Sequence, residues 1–394
     1  MSSDVKSGYF FVADITGYTK FLAETELEHA KGILEDLFDA ILPTLTTPVK
    51  ISGLRGDAVF CYAIDDDITG QQFMLDIAEK IYGAFAEKKD RIRINTACSC
   101  TACAHMEDLD LKVFIHHGDF VVQKSGDTEE LAGTAVNTLF RLTKNNVVET
   151  TGIEAYALIT CDAVNRMGIG DFFPPESFHT ETYEHIGDVE FIVHDLKKSW
   201  EQRRDAKRIY VADNDAQLVE EATISVPLAP EAAFVMTSRP DLRLHIVEAD
   251  DIQTINKKGK VINNGTMYHC HHGNDVILFE ILDWRPGEYM TGVYQLPMGM
   301  TLLETTDFVP YGEGTLIKIR YGELKADKWL GRLMAKLLKS KMKSLFGSVG
   351  EKCSRTIPAL ATELLKTNPE IAALNAGNEN VIDISEAVAM KMAG

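Results

Sequence analysis

The chain has 394 residues, and at roughly 150 residues per domain it is expected to hold two or three domains. Hydrophobic residues make up 45% and charged residues 25%, which is typical of globular proteins and excludes a disordered or fibrous class. The formal net charge of −19 repels nucleic acid and anionic lipid. Polyanion binding as the main function is therefore excluded unless basic residues are strongly segregated.

Residues 1–197 alternate strand-like and helix-like patterns, which predicts an α/β or α+β domain with a mixed sheet, and we take the α+β class with flanking helices. The helices are expected where apolar residues recur at intervals of three and four. In chain order we predict a strand over 9–13, a helix through 30–41, a hairpin around 53–56, a helix through 73–85, a strand over 111–116 and a helix through 136–142.

A polar, basic run follows this domain, and we place a linker over 198–214. Residues 215–365 contain six strand-like runs and then a long amphipathic helix, which predicts an antiparallel sheet around a C-terminal helix. The small, polar segment 366–394 is expected to be a flexible tail. The strand-like runs are 222–226, 267–270, 276–281, 289–294, 300–308 and 315–321.

Neither a signal peptide nor a membrane helix is evident, because residues 1–7 lack an apolar core and no apolar run approaches 18 residues. Seven cysteines, an odd number, then indicate a reducing compartment. We expect a cytoplasmic protein with no transmembrane segment and no nucleic-acid partner.

Three segments of the first domain carry side chains suited to phosphate chemistry. Asp14 ends an apolar strand before a turn of small residues, and Asp57 stands at a hairpin tip beside Gly56. Two carboxylates on neighbouring strands suit divalent cations that bind phosphates. Asn137 and Arg141 are four residues apart and would project from one helix face. Singly, each residue is more often a turn, cap or solvent-facing residue, whereas the ordered set is more specific.

The ordered set resembles the catalytic domain of class III nucleotidyl cyclases, the adenylyl and guanylyl cyclase family. That family carries a strand ending in Asp-Ile-x-Gly, then a Gly-Asp hairpin, and later Gly-x2-Val-Asn-x3-Arg, and all three stand here within residues 8–190. The resemblance implies two Mg²⁺ or Mn²⁺ ions per site, bound by Asp14, Asp57 and the backbone carbonyl of Ile15. It also implies a turn that cradles the triphosphate, formed by Thr16, Gly17, Tyr18 and Thr19.

The same resemblance implies a reaction and an assembly. Asn137 would orient the ribose and Arg141 would stabilise the pentavalent phosphorus while the 3′-hydroxyl displaces pyrophosphate from a nucleoside triphosphate. The product would be a 3′,5′-cyclic mononucleotide. Sites of this family form between two subunits, so a symmetric homodimer with two sites is implied.

The base-reading positions depart from the family pattern. Adenylyl cyclases carry Lys-x2-Gly-Asp at the hairpin, and here the Lys position is Gly53, with Lys50 and Arg55 nearby but out of register. The partner position that reads the base falls at about Glu130. Base preference therefore stays open between guanine, a pyrimidine and no turnover. The alternative function is a catalytically inactive cyclase-like dimer that binds nucleotide or lipid.

Three cysteines lie close together at Cys98, Cys100 and Cys103. They could bind a structural Zn²⁺ with Cys61, His105, His116 or His117 as fourth ligand, but the spacing lacks a second Cys-x2-Cys. Reduced thiols in a strand and turn are the favoured interpretation.

The second domain resembles the START-like lipid-transfer and polyketide-cyclase superfamily through residues 223–234, residues 280–288 and its last helix. This sequence-diverse resemblance implies a sheet that grips the helix, with a cavity for an apolar small molecule. Such a ligand would regulate the first domain. His269 and His271 share a strand face, where pocket lining or a solvated face is favoured over metal binding. The last helix is basic on one side, for which a solvated face is favoured over membrane contact.

Overall fold

The computed structural model describes residues 5–68, 70, 72–95, 102, 105–125, 128–255, 264–273, 275–326 and 328–376. The chain divides into two compact units, residues 1–89 with 100–207 and residues 90–99 with 208–394. Each sheet has eight strands, and helices accompany both, so the fold class is α+β as predicted. No described helix combines the length and apolarity that a membrane crossing requires.

The sheet of the first unit is mixed, with strand order β2-β3-β1-β4-β6-β8-β7, and β5 pairs with β4. The β4–β6 pair is parallel, and the other pairs are antiparallel. Its central strand β1 is apolar because both of its faces are covered. The strands are β1 (Lys6–Thr16), β2 (Lys50–Arg55), β3 (Ala58–Ile64), β4 (Asp110–Ser125), β5 (Thr128–Ala132), β6 (Tyr156–Thr160), β7 (Phe178–Tyr183) and β8 (Gly187–Asp195).

The α-helices before residue 207 bury apolar faces that follow the sequence pattern. The predicted face of the second helix is buried from Ala30 to Ile41. The helix that carries Asn137 and Arg141 buries Val136 and Leu139 and leaves both polar residues exposed. The helices are α1 (Tyr18–Glu24), α2 (Leu27–Ile41), α3 (Phe73–Asn95), α4 (Thr134–Leu142), α5 (Val147–Thr151), α6 (Cys161–Met167) and α7 (Leu196–Ala206).

The basic run at the end of the first unit is helical, which differs from the predicted linker over 198–214. Asp195 caps α7 by accepting a hydrogen bond from the backbone N–H of Lys198 (2.9 Å). Glu79 of α3 accepts hydrogen bonds from Ser199 (2.6 Å) and Arg203. The boundary between the units therefore follows residue 207. The basic composition indicated a solvated linker, whereas the cap at Asp195 and the hydrogen bonds to half-buried Glu79 stabilise a helix.

The second sheet is antiparallel throughout, with strand order β10-β11-β12-β13-β14-β15-β9, and β16 pairs with β14. The first strand of this sheet in the chain, β9, thus pairs with β15, the last but one. The strands are β9 (Ala222–Val226), β10 (Asp251–Ile255), β11 (Met267–His272), β12 (Asp275–Arg285), β13 (Tyr289–Leu296), β14 (Met300–Tyr311), β15 (Gly314–Tyr321) and β16 (Lys325–Ala326).

A long helix, α10 (Trp329–Thr367), packs its second half against this sheet as predicted. The ring of Phe346 lies 5.4 Å from that of Tyr294 and 5.0 Å from that of Tyr321. Part of the predicted tail is helical too, since α11 (Pro369–Ala376) buries Ile371. The other helices of this unit are α8 (Pro230–Ser238) and α9 (Pro240–Val247).

Candidate active site

Asp14 and Asp57 are brought together by strand pairing in the first unit. Asp14 lies opposite Ala58 of β3 on one side and Lys112 of β4 on the other. Gly56 and Asp57 form the turn between β2 and β3. The backbone N–H of Ile15 donates to the carbonyl oxygen of Asp57 (3.1 Å), which holds this turn against the end of β1.

The two carboxylates repel each other. Burial raises the pKa of Asp14 from 3.8 to about 6, and the charge of Asp57 adds to the increase. The ammonium group of Lys112 lowers the pKa of Asp14 but does not cancel these effects. At neutral pH the protein thus holds two negative charges near one another that it compensates only in part.

Lys112 is a site residue that the sequence reasoning missed. Lys112 interrupts the apolar run of residues 111–115 in β4. A charged residue within an apolar strand was the sequence feature that could have identified it. Its Nζ atom lies 5.3 Å from the ring centroid of Tyr156 on the neighbouring strand β6. Because paired residues of an antiparallel ladder point to the same face, Lys112 shares the face of Asp14.

The turn after β1 needs a glycine and leaves one hydroxyl without a partner. Gly17 has a φ of +85°, and a Cβ there would lie 2.8 Å from the carbonyl oxygen of Asp108. The Oγ1 atom of Thr16 is buried and has no hydrogen-bond partner in the described part of the chain. Tyr18 begins α1, and Thr19 is exposed. A buried hydroxyl two residues from Asp14 is thus available to a bound group.

Asn137 and Arg141 lie on the exposed face of α4, as their spacing predicts. Among the described residues, no hydrogen bond or ion pair connects either side chain with Asp14 or Asp57. The chain therefore holds two sets of polar residues that no described hydrogen bond or ion pair connects. Asp14 and Asp57 lie at the end of β1, and Asn137 and Arg141 lie on the surface of α4.

The two positions predicted to read the base, Gly53 and Glu130, are accessible. Gly53 lies opposite Phe60 beside a bulge of β2, and a Cβ at Gly53 would meet no atom within 4 Å. Glu130 is exposed on β5. The nearby cations contact aromatic rings instead, since the Arg55 guanidinium lies 4.9 Å from the ring centroid of Phe140.

The donor set at Asp14 and Asp57 fits Mg²⁺ or Mn²⁺. Both ions prefer oxygen ligands, and Mg²⁺ sites commonly use one or two carboxylates together with substrate phosphates. The partly compensated charge of the pair is the structural observation that favours a cation here. No group of three or more His, Cys, Asp or Glu suited to a metal occurs in the described residues. Remaining ligands would have to come from the backbone, water and substrate.

The zinc prediction falls on Cys98, Cys100 and Cys103, which lie outside the described residues. The fourth-ligand candidates within the described chain have other environments. Cys61 is buried, which raises the pKa of its thiol to about 12. The Nδ1 atom of His116 lies 2.9 Å from the hydroxyl of Thr160. His105 and His117 contact Asp108 (3.2 Å) and Asp65 (3.1 Å).

Comparisons with known proteins show similarity over parts of the chain. A family model described as a protein of unknown function (DUF2652) matches residues 34–151. An uncharacterised protein of Mycobacterium tuberculosis, Rv2561/Rv2562, is 28% identical over 115 residues, which is 29% of this chain. The chain spans about half, 51%, of the length of that curated relative.

Solved structures similar to this chain include nucleotidyl cyclases. The guanylyl cyclase Cya2 aligns with 49% of this chain and 94% of its own, at 15% identity and a TM-score of 0.39. The adenylyl cyclase CyaB from P. aeruginosa aligns with 50% of this chain and 97% of its own, at 16% identity and a TM-score of 0.35. Because these TM-scores are low, the description of the fold rests on the strand order given above.

Proposed function

We propose that the first unit is a nucleotidyl cyclase that converts a nucleoside triphosphate to a 3′,5′-cyclic mononucleotide and pyrophosphate. The observation that carries this proposal is the juxtaposition of Asp14 and Asp57 at the end of β1, with a pKa of about 6 for Asp14. Like charges held together cost folding free energy, so their presence at a strand end favours a functional role.

Asp14, Asp57 and the carbonyl of Ile15 would hold two Mg²⁺ or Mn²⁺ ions, which when bound supply charge neutralisation for the triphosphate. The Thr16–Thr19 turn would bind phosphate oxygens through its backbone N–H groups, and the buried Thr16 hydroxyl, which has no hydrogen-bond partner among the described residues, could join them. In the reaction the 3′-hydroxyl loses its proton to solvent, the bond from O3′ to the α-phosphorus forms, and the bond from that phosphorus to the bridging oxygen breaks, so that pyrophosphate leaves. Positioning and electrostatics carry most of such catalysis.

Asn137 and Arg141 complete the proposed site from a second copy of the chain. Asn137 would hydrogen-bond the ribose and hold O3′ in line for attack. The guanidinium of Arg141 would neutralise charge that develops on the α-phosphate. Exposure of both side chains on α4, without a described hydrogen bond or ion pair to Asp14 or Asp57, supports a site completed by another subunit. A twofold axis would then generate two equal sites.

The second candidate function is a nucleotide-binding dimer without turnover. Gly53 favours it, because a glycine offers no side chain to the edge of a base. A binding protein of this kind would keep Asp14 and Asp57 for a metal–nucleotide complex. Release of a cyclic product decides between the two functions.

For the second unit we propose a START-like module that binds an apolar small molecule and regulates the first. The strand-helix-helix-strand order and the pairing of β9 with β15 support this layout. Its core contains a buried polar centre, where Arg243 lies 3.7 Å from Glu304. The Nε atom of Arg243 is buried without a partner among the described residues, which suits a ligand with a hydrogen-bond acceptor.

Mass spectrometry of the purified chain with ATP, GTP, CTP and UTP in the presence of Mn²⁺ tests the catalytic proposal. We expect one cyclic mononucleotide to accumulate together with pyrophosphate. The Asp57→Ala variant, whose substitution lies at a half-buried position of the β2–β3 turn, is the matched control and should form none. Tight nucleotide binding without any cyclic product, in folded and dimeric protein, would support the second candidate instead.

A further inference from the structure

The first half of α10 exposes an unusual number of large apolar side chains. Trp329, Leu330, Leu333 and Leu337 keep 74%, 45%, 48% and 68% of their surface exposed. Scattered exposed hydrophobic residues are common in folded proteins, but four within nine residues of one helix form a continuous surface.

The same segment is strongly basic. Residues 328–350 contain no acidic residue, although the whole chain carries a net charge of −19. Four of these basic residues, Lys336, Lys339, Lys341 and Lys343, form no ion pair with a described residue. The basic residues of the segment are Lys328, Arg332, Lys336, Lys339, Lys341 and Lys343. The overall negative charge excludes polyanion binding unless basic residues are strongly segregated, and this segment is such a segregated basic patch.

Helical geometry arranges these residues into ordered stripes. At 3.6 residues per turn, the four exposed apolar side chains fall within a sector of about 100°. Lys336 and Lys343 flank that sector on one side and Lys341 on the other. Gly331 and Ala335, on the opposite side of the helix, are buried against the second unit. An apolar stripe between basic flanks is the pattern of helices that lie in a lipid interface.

We propose that the exposed side of residues 328–345, the α10 surface, binds an anionic lipid bilayer. The positive charge of this surface favours anionic lipid over a second copy of the chain as its binding partner. A second copy would present the same row of cations, which repels, whereas anionic headgroups complement it. Trp329 and the leucines would enter the boundary between headgroups and acyl chains, and the lysines would stay at the headgroups. This site is separate from Asp14 and Asp57, and it would hold the enzyme at a membrane surface.

Vesicle sedimentation and tryptophan fluorescence of the full chain test the proposal. The probes are vesicles of phosphatidylcholine alone and of phosphatidylcholine with about a third phosphatidylglycerol. We expect sedimentation with the anionic vesicles only, and release in about 0.5 M salt. Trp329 is one of three tryptophans, so its emission is obtained as the difference from the Trp329→Phe variant. That difference should shift to shorter wavelength on binding.

Matched variants separate charge from apolar contact. Lys336→Ala with Lys343→Ala should weaken binding roughly 30-fold, at a contribution of about 1 kcal/mol per cation near the surface. Leu333→Ser with Leu337→Ser should weaken it roughly tenfold or more. Leu27→Ser is the control, because Leu27 is 70% exposed and lies outside this segment. Circular dichroism of each variant verifies that the fold is kept.

Several results would overturn the proposal. Equal binding to neutral and anionic vesicles, or binding that the lysine and leucine variants do not weaken, would do so. Failure of iodide to quench the fluorescence of Trp329 in vesicle-free solution would also overturn it, because another part of the chain would then cover the α10 surface. Concentration-dependent association abolished by the leucine variants would assign the surface to a second copy. None of these measurements depends on turnover, so the cyclase proposal stands or falls separately.

Discussion

The two units treat buried charge in opposite ways. In the second unit the guanidinium of Arg320 is only 1% exposed, and it is surrounded by acceptors. It donates to the carbonyl of Val211 (2.8 Å), to the hydroxyl of Tyr210 (2.6 Å) and to the carboxylates of Asp213 and Asp307. In the first unit Asp14 has another carboxylate as its neighbour.

This difference separates a structural cluster from a functional one. Around Arg320 the protein satisfies every strong donor itself, which leaves little for a ligand to do. At Asp14 the protein leaves negative charge uncompensated. A divalent cation can neutralise this charge and can in turn bind phosphate groups. Substitutions in the two clusters should therefore move different observables, activity in one and stability in the other.

The largest expected effect is on turnover at the first cluster. Asp57→Asn keeps the size of the side chain and removes a charge, so cyclase activity should fall by roughly 10³-fold or more, about 4 kcal/mol in activation free energy. Initial rates of cyclic-nucleotide formation measure it. Unfolding in urea should show no loss of stability. A variant that loses stability and activity together would make Asp57 a structural residue.

Substitutions in the cluster around Arg320 should lower the free energy of unfolding. Arg320→Met leaves Asp307 buried without its cation, and the free energy of unfolding should fall by about 3–5 kcal/mol. Urea titration followed by circular dichroism measures the change. Adding Asp307→Leu should recover part of the loss, because replacing both partners removes the uncompensated charge. A loss below about 1 kcal/mol would show that the network contributes little.

Asp14→Asn should stabilise the protein in the absence of divalent cations. The folded pKa of about 6 lies above the ordinary 3.8, so ionisation of Asp14 costs folding free energy above pH 6. Because Asp14 is only half-buried, solvent screening reduces the gain at pH 8 to about 1–2 kcal/mol.

The gain should decline as the pH falls through 6 and vanish below about 4, where Asp14 is protonated in both states. Urea unfolding at pH 8 and pH 4, with chelator present, measures it. A destabilised Asp14→Asn at pH 8 would show that the carboxylate is paired within the fold, as the charges around Arg320 are.

The smallest effect on stability is expected for Gly53→Lys. A Cβ at this position meets no atom within 4 Å, so the free energy of unfolding should change by less than about 0.5 kcal/mol. The added ammonium places a donor where adenylyl cyclases carry one, and the ratio of ATP to GTP turnover should rise. Competition assays with both nucleotides measure that ratio. Gly53→Met, of similar length without charge, is the control and should leave the ratio unchanged.

Local patterns predicted the parts of the site that depend on one element. Asp14 ends an apolar strand and Asn137 and Arg141 share a helix face because strand and helix periods place them there. The approach of Asp57 to Asp14, in contrast, depends on the pairing of β1 with β3, so it was expected from the family resemblance and not from a local pattern.

Features that depend on distant partners escaped prediction. Lys112 joins Asp14 only through the register of β1 with β4, and α7 is fixed partly by Glu79, more than a hundred residues earlier. The cluster around Arg320 gathers residues spread over about a hundred positions. Strand register and long-range ion pairs are not written in local periodicity, so these needed the structure.

Mixing two inactive variants tests most directly the claim that two chains build each catalytic site. Asp57→Ala and Arg141→Ala should each form no cyclic product alone. After subunit exchange in equal amounts, half of the dimers are mixed and each has one intact site, so about a quarter of the wild-type activity should return. A mixture that stays inactive beside an active wild-type dimer would contradict the shared site.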